Sequence, residues 1–191
     1  MKLLEEYIMK YGHVPSDNVL KVDAFLNHQI DTDLMNAIAK EFAEYFKDKP
    51  INKIVTIETS GIAPSVFLGY LLHVPVVFFK KNASCIMTDD NYQTAVHSFT
   101  KNRDYEIICS KKYLNENDHV LFIDDFLANG EASLGAIRII EEAHATLEGV
   151  GIVIEKSFQD GRGKLEELGV DVCSLARIAS LKAGKVEFVK E

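Results

Sequence analysis

The residues best suited to do chemistry in this 191-residue chain are concentrated between 120 and 133, VLFIDDFLANGEAS. An apolar run ends in two adjacent carboxylates, Asp124 and Asp125. Two more apolar residues follow, then Ala128, Asn129, Gly130, Glu131, Ala132 and Ser133. A tight turn of small residues opening a helix presents consecutive backbone N–H groups, and the helix dipole adds positive potential, so such a turn cradles an anion. The residues must be small because phosphate has to approach the backbone closely. Two carboxylates at a strand's end can accept hydrogen bonds from vicinal hydroxyls. A diol acceptor pair just ahead of a phosphate cradle is what gripping a ribose 5-phosphate requires. Read alone, the paired aspartates also fit a solvated turn or one beside a metal.

Three other places could contribute. Residues 58 to 64, ETSGIAP, follow a short β-rich run and place Ser60 and Gly61 where their N–H groups face outward; the same stretch also reads as a plain strand-to-helix turn. The next apolar run ends in Lys80 and Lys81. After VGIVIE come Lys156, Ser157 and Phe158. An ammonium there can donate to an oxo group or ring nitrogen and the phenyl ring can stack, although a loop lysine and a core aromatic explain the pair equally well.

These residues need a frame. Residues 2 to 12 read as a short helix, 14 to 30 as irregular, and 32 to 46 as a helix capped by Asp31 with Leu34, Ile38, Phe42 and Phe46 on one face. From 53 onward strands and helices alternate. Strands are expected at 53–58, 75–79, 120–124, 150–155 and 171–178, with helices at 63–72, 130–145 and 161–168. That order indicates an α/β fold with a parallel sheet covered on both faces. Right-handed crossovers then put the loops after Glu58, Phe79, Asp124 and Glu155 along one edge, the edge at which open α/β sheets bind ligands. Between 82 and 110 no helix–strand unit fits. Two β segments, 83–88 and 94–100, flank a turn cluster at Asp89, Asp90 and Asn91, which suggests a hairpin lid beside the sheet edge.

Lys and Arg number 21 and Asp and Glu 29, a net charge of −8 that argues against a general nucleic-acid or membrane-surface binder. Cys85, Cys109 and Cys173 are widely spaced, odd in number and outside any CxxC pattern, which fits reduced thiols rather than a disulfide framework or a zinc site. The six histidines show no paired metal spacing. MKLLEEYIMKYGHV carries Glu5 and Glu6 within its apolar pattern and no apolar run reaches membrane-spanning length, so a cytoplasmic protein is expected.

The stretch 120–133 resembles, in order and spacing, the phosphoribosyl-diphosphate signature of the type I phosphoribosyltransferases. The resemblance implies one domain spanning 1–191: a central parallel sheet flanked by helices, an N-terminal hood over about 1–50 and a flexible β-hairpin lid over about 82–110. It implies that Ala128, Asn129, Gly130, Glu131 and Ala132 hold the 5-phosphate, that Asp124 and Asp125 take the ribose hydroxyls as the catalytic pair, and that Thr59, Ser60, Gly61 and Lys81 meet the diphosphate. Lys80 stands where the family often has arginine and loses the planar fork while keeping the charge. In TAVHSFTKNR, 94 to 103, the lid donors would be Ser98, Thr100 and Lys101.

The segments VLKVDAFLNHQID, IVTIETSGIAP, FIDDFLANGEA and GIVIEKSF are similar to the xanthine-using branch of the family. Leu20, Asn27, Lys156 and Phe158 would then hold the base. The implied reaction transfers the phosphoribosyl group of 5-phosphoribosyl 1-diphosphate to N9 of xanthine. Mg²⁺ would be chelated by the substrate rather than held directly by the chain, and a homodimer is expected. Guanine or hypoxanthine transfer is the alternative on the same scaffold. A phosphoribosyl-diphosphate-sensing DNA-binding regulator is a more distant one, disfavoured by the acidic charge and by too little chain ahead of the first sheet strand for a DNA-binding module plus a hood.

Overall fold

A computed structural model describes residues 1–81, 90–98, 103–182 and 184–190. Helix α1 (Lys2–Tyr11) leads into a small antiparallel hairpin, β1 (His13–Ser16) and β2 (Val19–Lys21), then one π-helical turn at Asp23–Asn27 and helix α2 (Thr32–Tyr45). The region read as irregular is thus ordered. Asn18 adopts a left-handed φ of 69° in the two-residue turn between β1 and β2, a conformation asparagine tolerates. The Asp31 carboxylate caps α2 by accepting from the N–H of Leu34 at 3.0 Å. Leu34, Ile38, Phe42 and Phe46 all lie in the core, as the four-residue spacing requires.

The main sheet comprises β3 (Lys53–Ile57), β4 (Val76–Lys81), β5 (Asn91–Ser98), β6 (Arg103–Ser110), β7 (His119–Leu127), β8 (Thr146–Lys156), β9 (Val172–Lys182) and β10 (Lys185–Phe188). Their order is β10-β9-β8-β7-β3-β4-β6-β5. The five central strands are parallel, joined through α3 (Ile62–Leu72), α4 (Glu131–Glu142) and α5 (Gly161–Glu167), while β10, β6 and β5 extend the edges antiparallel. Alternating residues of β7 feed the two faces. Leu121 and Ile123 pack with α1, α2 and the hood hairpin; Val120 and Phe122 pack with α4, α5 and β6. The chain runs outward from β3 to β4 and then returns to β7 on the other side of β3. The loops after β3 and β7 therefore diverge, and a crevice opens between them at the carboxyl edge.

Two expectations are corrected. Asn91 is a strand residue: β5 pairs with β6 in register from Asn91↔Ser110 to Ser98↔Arg103, so the segment expected at 94–100 begins three residues earlier and its partner is 103–110. Cross-strand burial favours this pairing: Val96, Ile107 and Cys109 all reach the core. The expected strand at 83–88, together with Thr100 and Lys101, lies outside the described residues. Strand β7 also continues past the aspartates to Leu127, because Phe126 and Leu127 still pair with Ile154 and Glu155 of β8.

Candidate active site

The carboxyl ends of β3, β4, β7 and β8 converge on two adjoining cavities. The larger, about 420 Å³, is lined by residues 126 to 133, by Lys156 and Gln159 after β8, by Asn18 and Val19 of the hood turn, and by His97 and Tyr105 of the β5–β6 hairpin. The smaller, about 180 Å³, is lined by 57 to 60, Lys81, Asp124, Asp125, Phe126 and Ala132. Phe126 and Ala132 belong to both, so the two form one continuous crevice.

The turn at 128–132 is shaped by Gly130, whose φ of 83° at the start of α4 favours glycine, and whose missing Cβ would meet Cα of Gly161 at 3.0 Å. One charged side chain lies behind the turn. Lys164 Nζ donates to the carbonyl of Asn129 at 2.8 Å and to Glu131 Oε1 at 3.0 Å. On the other wall of the crevice the Glu58–Thr59 peptide bond is cis, and the Glu58 carboxylate accepts from the N–H of Lys81 at 2.5 Å, tying the loop after β3 to the end of β4.

The paired aspartates both line the smaller cavity but differ in burial. Asp124 is buried and Asp125 half-buried. Burial pushes the Asp124 carboxyl well above the usual carboxylate range, and the charge of Asp125 acts in the same direction. The N–H of Asp125, donating to Asp124 Oδ1 at 2.9 Å, and the charge of Lys81 oppose the shift without cancelling it. Burial likewise pulls the Lys156 ammonium below the usual lysine range; it donates to the carbonyl of Asn18 at 2.7 Å and lies 5.6 Å from the ring centre of Phe126. Next to it, Glu155 is buried among Arg162 (2.8 Å from Nε), Ser157 (2.5 Å from Oγ) and Arg177 (3.3 Å from Nε). Burial alone would raise its pKa, but the hydrogen bonds from Arg162, Ser157 and Ser174 hold it at about 2.

The structure therefore brings together Asp124, Asp125, Ser60, Lys81, the 128–132 turn and Lys156. It does not bring the remaining base-contact candidates onto the walls of these cavities. Leu20 is a core residue of β2, Asn27 is exposed at the end of the π-helical turn, and Phe158 is partly exposed; Gly61 is buried behind the loop. Residues not singled out from the sequence are Asn18, Val19, Tyr105, Phe126 and Gln159. The Asp17-Asn18 pair between two β-rich runs was a legible turn signal, and Phe126 stands within the 120–133 run itself. Nothing local marked Tyr105 or Gln159. Among the described residues, no three His, Cys, Asp or Glu side chains come together as a metal site.

A carboxylate pair between two loops at the carboxyl edge of a five-stranded parallel core is the arrangement expected of the type I phosphoribosyltransferase class. The fold is shared with adenine phosphoribosyltransferase from Thermoanaerobacter pseudethanolicus (TM-score 0.75, 20% identity, covering 91% of this chain and 99% of that one). It is shared equally with the Giardia lamblia enzyme solved with 9-deazaadenine (TM-score 0.77, 22% identity, 91% and 97% covered). No family model matches the chain. At the level of sequence it is 57% identical over 190 residues to "Xanthine phosphoribosyltransferase 1" of Clostridium botulinum strain Hall, with each chain covered in full. It is 56% identical over 191 residues to the xanthine phosphoribosyltransferase of Latilactobacillus sakei (100% and 98% covered), and to that of Listeria innocua (100% and 100%). The chain belongs to the xanthine phosphoribosyltransferase family.

Proposed function

We propose that the protein transfers the phosphoribosyl group of 5-phosphoribosyl 1-diphosphate to N9 of xanthine, forming xanthosine 5'-monophosphate and diphosphate. The observation that carries this reading is the shared crevice: the 128–132 turn, the two aspartates, Lys81 and Lys156 all face it, in a chain matching xanthine phosphoribosyltransferases end to end. N–H groups of Ala128 to Ala132 hold the 5-phosphate. Asp124 and Asp125 accept from the ribose hydroxyls, and their charge stabilises the oxocarbenium-like sugar as the C1–O bond to diphosphate breaks. Loop residues Thr59, Ser60 and Gly61 with Lys81 hold the departing diphosphate. N9 attacks C1 from the opposite face, and Asp125 takes the N9 proton.

Lys156 donates to the purine; Leu20, Asn27 and Phe158 would join the base contacts only with a movement that carries them to the cavity, since none of them lines it here. The half-buried Lys156 ammonium donates to the carbonyl of Asn18, and the two N–H groups left over suit an oxo-rich base. Xanthine presents an acceptor at C2 where guanine presents an amino donor, so an Asn27 amide brought to that edge would favour xanthine. Mg²⁺ would arrive chelated by the diphosphate and neutralise leaving-group charge; the hard oxygen donors facing the smaller cavity are Glu58, Asp124 and Asp125.

A homodimer is proposed from α3, which is apolar all round yet leaves Tyr70 81% exposed, with Val66, Leu71 and Phe78 of β4 also uncovered. Among the described residues no helix is long and apolar enough to cross a membrane, and Cys109 and Cys173 are unpaired, which supports a reducing cytoplasmic location. The test is diphosphate release with Mg²⁺ and each of xanthine, guanine, hypoxanthine and adenine. Xanthine is expected to give the highest kcat/KM; adenine as the best substrate would overturn the reading.

A further inference from the structure

The 128–132 turn carries Glu131, a carboxylate on the wall of the cavity that has to accept a doubly charged phosphate. At the first turn of a helix an acid is normally stabilising. Next to a phosphate it repels the ligand it should help to hold. Two carbonyls of the same turn raise a second difficulty, since each would repel phosphate oxygens if it faced inward. Helix α5, thirty residues further along the chain, answers both. The N–H of Gly161 donates to the carbonyl of Ala128 at 3.0 Å. Lys164 Nζ donates to the carbonyl of Asn129 at 2.8 Å and pairs with Glu131 Oε1 at 3.0 Å. The contact is close: a Cβ on Gly161 would lie 2.4 Å from the carbonyl oxygen of Ala128. Lys164 is not itself on the cavity wall.

We propose that Lys164 is a positioning residue for the phosphate-binding turn. It neutralises Glu131 and holds the Asn129 carbonyl outward, so that the turn's N–H groups face the 5-phosphate. The proposal rests on the reading of residues 128–132 as the phosphate cradle. It predicts an effect confined to one substrate. Lys164→Met raises KM for 5-phosphoribosyl 1-diphosphate by about tenfold, with kcat and KM for xanthine within about twofold of wild type. Lys164→Arg keeps the charge and retains most of the affinity. The decisive variant is the double one: if the uncompensated carboxylate causes the loss, Lys164→Met combined with Glu131→Gln recovers KM to within about threefold, whereas a merely structural loss stays or deepens.

The measurements are steady-state kinetics with each substrate varied and calorimetric binding of 5-phosphoribosyl 1-diphosphate with Mg²⁺ to the whole protein. A wild-type KM in Lys164→Met, equal losses for both substrates, or a double variant as impaired as the single one overturns the proposal. Ala132→Asp serves as the control, because it places a carboxylate in the turn with no lysine behind it. If Ala132→Asp binds 5-phosphoribosyl 1-diphosphate like wild type, the cradle reading fails. If it loses binding while Lys164→Met does not, only the role of Lys164 fails.

Discussion

A single methyl group added at Gly61 tests how tightly the loop proposed to hold diphosphate is built. An ideal Cβ there would lie 2.1 Å from Thr56 Oγ1, and 3.3 Å from both Asp124 Oδ1 and the carbonyl oxygen of Ile123. Real Cβ atoms keep at least 3.0 Å from such neighbours, so something must give by about 1 Å. Thr56 is fully buried in β3, between β4 and β7, and cannot yield without disturbing the sheet. The loop therefore moves. Overpacking of this kind costs about 1–3 kcal/mol, or roughly 2–12 °C in Tm for a chain of this size. A shift of about 1 Å in groups that orient a reacting centre costs on the order of 100-fold in rate. Gly61→Ala should therefore lose about two orders of magnitude in kcat/KM for 5-phosphoribosyl 1-diphosphate, read by diphosphate release, and a few degrees by calorimetry. The companion variant removes the obstacle. Thr56 Oγ1 is buried with no hydrogen-bond partner among the described residues, so Thr56→Ala forfeits no bond, and the double variant should regain most of both losses. Wild-type kcat/KM in Gly61→Ala would show that the 59–61 loop does not hold a reacting group. Persistence of the defect in the double variant would show that the clash is not its cause.

Asp125→Asn should lower kcat by about 10²-fold at saturating substrates, because a proton acceptor at N9 is lost; unchanged kcat would remove that role. Asp124 has a folded-state pKa raised above its ordinary 3.8, so the folded protein binds this proton more tightly than the unfolded chain. Its stabilising contribution is present below 3.8 and is lost as pH rises through the raised value. Asp124→Asn should therefore gain in urea midpoint over wild type with increasing pH, while losing activity. Glu155 has the opposite sign: its pKa is lowered from 4.5 to about 2, so its contribution is present above 4.5 and lost as pH falls toward 2. Glu155→Gln should cost about 3 kcal/mol at pH 7, and the gap in urea midpoints should close between pH 4.5 and 2; a gap independent of pH would refute the linkage.

The site divides into what is local along the chain and what is not. VLFIDDFLANGEAS was legible because apolar strand, carboxylate pair, small-residue turn and helix start are consecutive, and each follows from side-chain size and backbone chemistry within a few residues. The same holds for the Asp31 cap and for the four-residue stripe of α2. The parallel sheet followed from the alternation of strands and helices, since a covered sheet is what buries such runs. Strand β6 was not legible: RDYEIICS opens with charged residues and becomes a strand by pairing with β4 and β5. The hood's contribution depended on the hairpin turn carrying Asn18 across 138 residues to the ammonium of Lys156. Lys164 reads in sequence as one more surface lysine of a short helix, and only the packing of α5 against the turn 33 residues earlier gives it Glu131 as a partner. Sequence alone determined which chemistry the chain carries, because donors, acceptors and small residues are properties of residue types. Tertiary structure decided which groups are buried, charged and facing one crevice, because burial and charge compensation are properties of what lies across the space between elements, and no spacing along the chain encodes them.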